Sequence, residues 1–146
     1  GLGHFNVYEE QTDLKDGTPV ESISFTYDGY TNYNYKYNAE KSAFYKEING
    51  TPMVDEQTGE TVYFSNFFVL TLPDLGYMPN GIHRRIEYVG EGEALYFAQG
   101  QQFNVRWSKA DQGSPMKFYL GDEELILQPG VTMINFIQEG MSFNVQ

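Results

Sequence analysis

Val89 to Trp107 reads V-G-E-G-E-A-L-Y-F-A-Q-G-Q-Q-F-N-V-R-W, and Lys117 to Ile137 reads K-F-Y-L-G-D-E-E-L-I-L-Q-P-G-V-T-M-I-N-F-I. In the first run two alternating patterns flank Gln99-Gly100. Glycine at the second position of a two-residue turn supplies the positive φ that such a turn needs, so the run predicts a hairpin. The turn fixes the register. Ala98 then opposes Gln101, Tyr96 opposes Phe103, Ala94 opposes Val105 and Gly92 faces Trp107, which predicts one core face. On the other face Phe97, Leu95 and Glu93 oppose Gln102, Asn104 and Arg106. A Glu93–Arg106 cross-strand pair is expected, contributing about 0.2–1 kcal/mol. The small residues Gly90, Gly92 and Ala94 leave room that the Trp107 indole is expected to fill.

In the second run Lys117–Leu120 and Glu124–Leu127 flank Gly121-Asp122 as another hairpin. Pro129-Gly130 suits the centre of a type II turn. Val131 to Ile137 reads as a final core strand, and Met141 to Val145 as a last edge.

The rest of the chain extends this pattern. Ile23, Phe25 and Tyr27 alternate with Ser22, Ser24 and Thr26, a period of two that marks a half-buried strand. Tyr33, Tyr35 and Tyr37 alternate with Asn34, Lys36 and Asn38 after the Asp28-Gly29 turn. That tyrosine row is either core packing with hydroxyls at the rim or an exposed stacking platform for a sugar or a peptide. Ala43 to Ile48 leads into Asn49-Gly50. Val62 to Leu72 is apolar on both faces apart from Ser65, Asn66 and Thr71, as in a central strand covered on both sides. Asn66 there must find partners, because an unpaired buried amide costs about 1–3 kcal/mol. It either pins a neighbouring loop or lines a pocket. Pro73 to Gly81 is a loop, and His83 to Tyr88 re-enters sheet.

No segment carries a long helical pattern. The expected fold is all-β: a single antiparallel sandwich or partly open barrel of about eight to ten short strands, with little helix. Residues 1–19 read as a lead-in or linker, and residues 20–146 as the β-rich domain. The stock of 12 Tyr and 11 Phe against one Trp suits pleated, half-buried surfaces.

A net charge of −11 repels phosphate backbones and anionic headgroups, which argues against nucleic acid and acidic lipid as partners. The chain has no cysteine, so disulfides, thiolate catalysis and cysteine-based zinc sites are excluded. No run reaches the roughly 18 apolar residues of a membrane helix. Gly1 stands where an initiator Met is expected, which suggests a trimmed or processed chain.

Chemistry is sparse. His4 and His83 are the histidines. His83 is the better candidate acid–base group, with Arg84 and Arg85 beside it. No G-x-S-x-G is present. The acidic loop Asp55-Glu-Gln-Thr-Gly-Glu60 lacks the spacing of an EF-hand. A metal site from His83, Asp55 and Asp74 is weak, because catalytic zinc commonly takes more than one His. Glycan cleavage needs two carboxyls roughly 5–10 Å apart across a cleft, and 20 acidic residues do not single out a pair. No cofactor is expected. The candidate ligand-binding residues are Asp55, Asn66, Asp74, His83, Arg84, Tyr33 and Tyr35.

V-G-E-G-E-A-L-Y-F-A-Q-G, R-W-x-K, K-F-Y-x-G-D-E-E-L-x-L and Q-P-G-V-T-M-I-N-F-I resemble the C-terminal domain of the YerB-type lipoprotein family, whose function is not established. Tyr35 to Tyr45 is similar to the family's Y-x-Y-D…Y stretch, and Asp55 with Thr58-Gly59 to its D-x-x-T-G. Asn66 stands at its N-V-type strand, and Gly81-Ile-His83-Arg84 resembles its G-H-R-type approach. Two positions depart from it: Met53 stands where the family often has His, and Tyr45-Lys46 where Tyr-x-Arg is common. The resemblance implies a Gram-positive cell-envelope setting, a missing N-terminal domain, and membrane attachment only through a lipid anchor outside this chain. Three readings follow: a module binding cell-wall glycan or an envelope protein, part of a glycan-cleaving enzyme, or a structural support domain.

Overall fold

Gln99 and Gly100 form the tight turn that the alternation predicts, with φ of 51° and 69°. The computed structural model describes residues 6–26, 30–72, 90–111, 113–138 and 143–146. The first strands in chain order are β1 (Asn6–Val7), β2 (Thr18–Pro19), β3 (Ser22–Thr26), β4 (Asn32–Asn38), β5 (Ala43–Ile48), β6 (Thr51–Pro52), β7 (Tyr63–Phe64) and β8 (Asn66–Leu72). Then come β9 (Gly90–Ala98), β10 (Gln101–Lys109), β11 (Lys117–Leu120), β12 (Glu123–Glu124), β13 (Ile126–Leu127), β14 (Thr132–Gln138) and β15 (Phe143–Val145). No helix occurs among the described residues.

The architecture is all-β and sandwich-like, and neither main sheet closes into a barrel. A large sheet runs β12-β11-β10-β9-β8-β14, with β2 added beside β10. A small sheet runs β15-β3-β4-β5-β6, with β7 also on β5. Two pairings depart from the antiparallel expectation: β14 lies parallel to β8, and β1 parallel to β13. Alternation along a strand cannot distinguish these cases, because it says which face is buried and nothing about the neighbour's direction.

The β9–β10 ladder has the predicted register throughout, from Gln101 opposite Ala98 to Trp107 opposite Gly92. Trp107 is buried, and a Cβ placed on Gly92 would come within 2.7 Å of its indole Nε1. The glycine is the space that the ring occupies. The ion pair differs from expectation. Glu93 opposes Arg106 in register, but Arg106 Nη1 bonds Glu91 Oε2 at 3.1 Å. A long guanidinium reaches the diagonal neighbour as readily as the direct one.

Both faces of the large sheet are covered. One carries Phe68, Tyr96, Phe103, Trp107 and Phe118, closed over by Leu14, Met116, Leu125 and Leu127. The other packs on the small sheet, where Phe67, Val69 and Phe97 meet Ile23, Phe25, Tyr35 and Phe44. Tyr35 stacks on Phe67 at 4.1 Å, and Phe44 meets Phe97 edge-on at 6.4 Å. Such aromatic pairs add about 0.5–1.5 kcal/mol each beyond the area they bury.

The run Val62 to Leu72 is not one strand. It breaks at Ser65, so that β7 belongs to the small sheet and β8 to the large one. At this corner the Ser65 and Asn66 amides both point at the Val131 carbonyl, at 2.9 and 3.3 Å. Asn66 is fully enclosed, and its side chain is saturated. Nδ2 donates to the Gln128 carbonyl at 2.8 Å and to Thr132 Oγ1 at 3.3 Å. Oδ1 accepts from the Gln128 amide at 3.0 Å and from the Tyr96 hydroxyl. Burial holds that hydroxyl protonated well above the usual phenol range, so it stays a donor.

Gln128 passes the link to the N-terminal segment. Its side-chain amide accepts from the Thr12 amide at 2.8 Å and donates to the Thr12 carbonyl at 2.9 Å. Gln99 holds the same segment, donating to the Thr12 carbonyl and accepting from the Leu14 amide. Residues that read as a lead-in are thus fastened to the large sheet by glutamine side chains.

Two stability changes are expected. Asn66→Ala leaves the Gln128 N–H and the Tyr96 O–H buried without their acceptor, and should cost about 2–4 kcal/mol in urea unfolding. Gly92→Ala forces a Cβ into the indole and should cost about 1–3 kcal/mol. A change below about 0.5 kcal/mol would mean that Asn66 does not hold the corner, or that Gly92 does not make the space for the indole.

Candidate functional site

Along the small-sheet side of the large sheet, the residue type changes step by step. On β9 it runs Phe97, Leu95, Glu93, Glu91; on β8 it runs Phe67, Val69, Thr71. The aromatic ends lie buried under the small sheet, and Glu91, Glu93 and Thr71 are exposed. Where the cover ends, a groove of about 970 Å³ opens. Its floor is Val69, Leu95 and Phe143, and its wall carries Asn104, Arg106 and Tyr119. A concave site with an apolar floor and a few convergent polar groups is the usual form of a ligand-binding cleft.

Register puts Arg106 opposite Tyr119 on β11. The guanidinium lies 4.6 Å from the ring centroid while also bonding Glu91. Stacking and ion pairing together fix a long side chain that would otherwise sample many rotamers. Among the described residues the groove therefore presents one held cation, two aromatic rings, one amide and two carboxylates.

The residues singled out in the sequence do not gather there. Asp55 is exposed and spends its carboxylate on its own turn, accepting from the Gln57 and Thr58 amides at 2.8 and 3.0 Å. Asn66 is enclosed and pins the Gln128–Thr132 segment, the first of its two expected roles. Tyr35 is buried between the sheets, and Tyr33 packs half-buried beside it on the same inward face. Asp74, His83 and Arg84 lie outside the described residues. Among the described residues no three His, Asp or Glu side chains cluster as a metal site would require.

Lys46 shares the inward face with the tyrosine row, 4.8 Å from the Tyr33 ring and 5.6 Å from that of Tyr35. Burial pushes its ammonium below the ordinary lysine value. Tyr45 points the other way and meets Tyr63 edge-on at 5.9 Å. The two residues of the departing Tyr45-Lys46 pair thus fall on opposite faces of the small sheet.

Sequence reasoning does not single out Arg106, Tyr119, Glu91 and Asn104 as a site. Each reads there as a surface residue on a strand face or as a cross-strand partner. The available signal is the gradient from Phe97 to Glu91, which marks where a buried face emerges into solvent.

No curated protein sequence matches the chain. Among solved structures, the YerB protein from Bacillus subtilis is similar in fold, with a TM-score of 0.74 at 18% identity. The similarity covers 91% of this chain but 46% of that one, so the chain spans about half the length of that relative. Residues 23–134 match the family described as protein of unknown function (DUF3048), C-terminal domain, and the match runs over well more than half of the sequence. The frame of turns, the Gly92–Trp107 contact and the Pro129-Gly130 corner that carried the resemblance all fall inside or beside the matched span, and the chain belongs to the DUF3048 C-terminal domain family.

Proposed function

We propose that this domain is an extracytoplasmic binding module of the cell envelope, attached to the membrane through a segment outside this chain, and that its groove takes cell-wall peptidoglycan. The observation that carries the reading is the groove's mixed chemistry on one rigid face. Tyr119 and the apolar floor suit the flat faces of sugars, while Asn104 suits their hydroxyl and acetamido groups. Arg106 suits the carboxylates of a stem peptide, and Glu91 and Glu93 suit an amine. A uniformly anionic polymer fits poorly, because the chain carries a net charge of −11.

Binding is favoured over cleavage by where the carboxylates stand. Glu91 and Glu93 lie on one strand and face the same way, and Glu91 is ion-paired to Arg106. Glycosidase carboxyls flank the scissile bond from opposite sides.

Co-sedimentation of the full chain with purified peptidoglycan tests this. The wild type should pellet with the polymer and release no soluble fragments. Arg106→Ala with Tyr119→Ala should weaken binding about tenfold or more, as expected for truncating Arg and Tyr anchors. A wild-type chain that stays in the supernatant, or a double variant that binds as well as wild type, would overturn the reading.

A further inference from the structure

The outer face of the small sheet gathers polar side chains that the groove does not use. Cross-strand register places Asn144, Ser24, Asn34 and Glu47 in one row over β15, β3, β4 and β5. The next row is Ser22, Lys36, Tyr45 and Tyr63. At the far end Thr26 pairs with Asn32, beside the Asn49-Gly50 turn. A concavity of about 450 Å³ lies here, lined by the side chains of Ser24, Thr26, Asn32, Asn34, Asn49 and Asn144.

Its hydrogen bonding is one-sided. Ser24 Oγ donates to Asn34 Oδ1, Thr26 Oγ1 donates to Asn32 Oδ1 at 2.9 Å, and the Asn32 amide donates to Asn49 Oδ1 at 2.8 Å. Three amide oxygens are thereby engaged within the sheet. Among the described residues the NH₂ groups of Asn32, Asn34 and Asn49 make no hydrogen bond, which leaves them as donors at the concavity. Next to them Lys36 and Glu47 neutralise each other at 2.9 Å. The Tyr45–Tyr63 pair adds aromatic surface at the opposite end of the face from Thr26 and Asn32.

We propose that this face is a second binding surface, for a neutral saccharide chain. Amide donors match hydroxyl and acetamido oxygens, and the tyrosine pair supplies rings on which a sugar can rest. An anion finds no cation among the described side chains that line the concavity, on a chain of net charge −11. An extended peptide would seek the free backbone groups of a sheet edge, whereas the Asn, Ser and Thr side chains of this concavity stand on a sheet face. The groove adjoins it: on β15 Phe143 lines the groove and Asn144 lines the amide concavity. The inference does not rest on the groove's reading.

Titration calorimetry of the full chain with chitotetraose, a neutral N-acetylated oligosaccharide, tests it. The wild type should bind, Asn34→Ala with Asn144→Ala should bind about tenfold more weakly, and Glu56→Ala, on an exposed loop that lines neither cavity, should bind as the wild type does. Asn144 makes no side-chain hydrogen bond among the described residues, so Asn144→Ala alone must also weaken binding if the double variant does not fold. No binding by wild type at millimolar sugar overturns the inference. So does full affinity in the amide variants, or an equal loss in Glu56→Ala. Failure of the groove shows separately, in the peptidoglycan measurement with the Arg106 and Tyr119 substitutions.

Discussion

A single buried amide organises the junction on which both sheets depend. Asn66 sits where the chain leaves the small sheet and enters the large one, and it meets the segment that carries the last long strand back in parallel to β8. Its carboxamide is bonded on both atoms, to the two backbone groups of Gln128, to Thr132 and to Tyr96. In a low-dielectric interior a satisfied network of this kind specifies one arrangement, because every alternative strands a polar group. The same network extends through the Gln128 side chain to Thr12, and so fixes the N-terminal segment as well. Gly130 completes the corner, its backbone lying so close to Ser65 that a side chain there would meet the hydroxyl at 2.5 Å.

From that junction follows the shape that matters for function. The small sheet covers the aromatic half of one face of the large sheet and leaves the charged half open. The groove is therefore the continuation of the inter-sheet core into solvent, with a floor made of core residues and a rim made of Glu91, Glu93 and Arg106. Its walls are strands, which hold side chains more tightly than loops do. The two faces of β15 then divide the molecule's polar surface. One face turns to the groove and the other to the asparagine-lined face of the small sheet.

Much of this is legible in the sequence. The Gln99-Gly100 hairpin can be read residue by residue, because a two-residue turn and a period of two leave one register. Asn66 stands out as a lone amide in an apolar run. The break at Ser65 is hidden, since both β7 and β8 are apolar and adjacent. The parallel pairing of β14 is hidden too, because pairing across more than fifty residues leaves no local mark. The tyrosine row at Tyr33 and Tyr35 reads correctly as one face of a strand, but only three-dimensional packing shows that this face is inward. The amide face looks like ordinary solvated surface, because Asn, Ser and Thr alternate there as they do on any exposed strand. Its one-sided hydrogen bonding exists only after β3 and β4 are paired.

The most direct measurement is a backbone amide chemical-shift map of the full chain titrated with a soluble peptidoglycan disaccharide–peptide. The groove reading predicts that the largest saturable shifts fall on Leu95, Asn104, Arg106 and Tyr119, with the Asn66–Gln128 junction unmoved. Saturable shifts that leave those four amides in place, or no shifts at millimolar ligand, would contradict it.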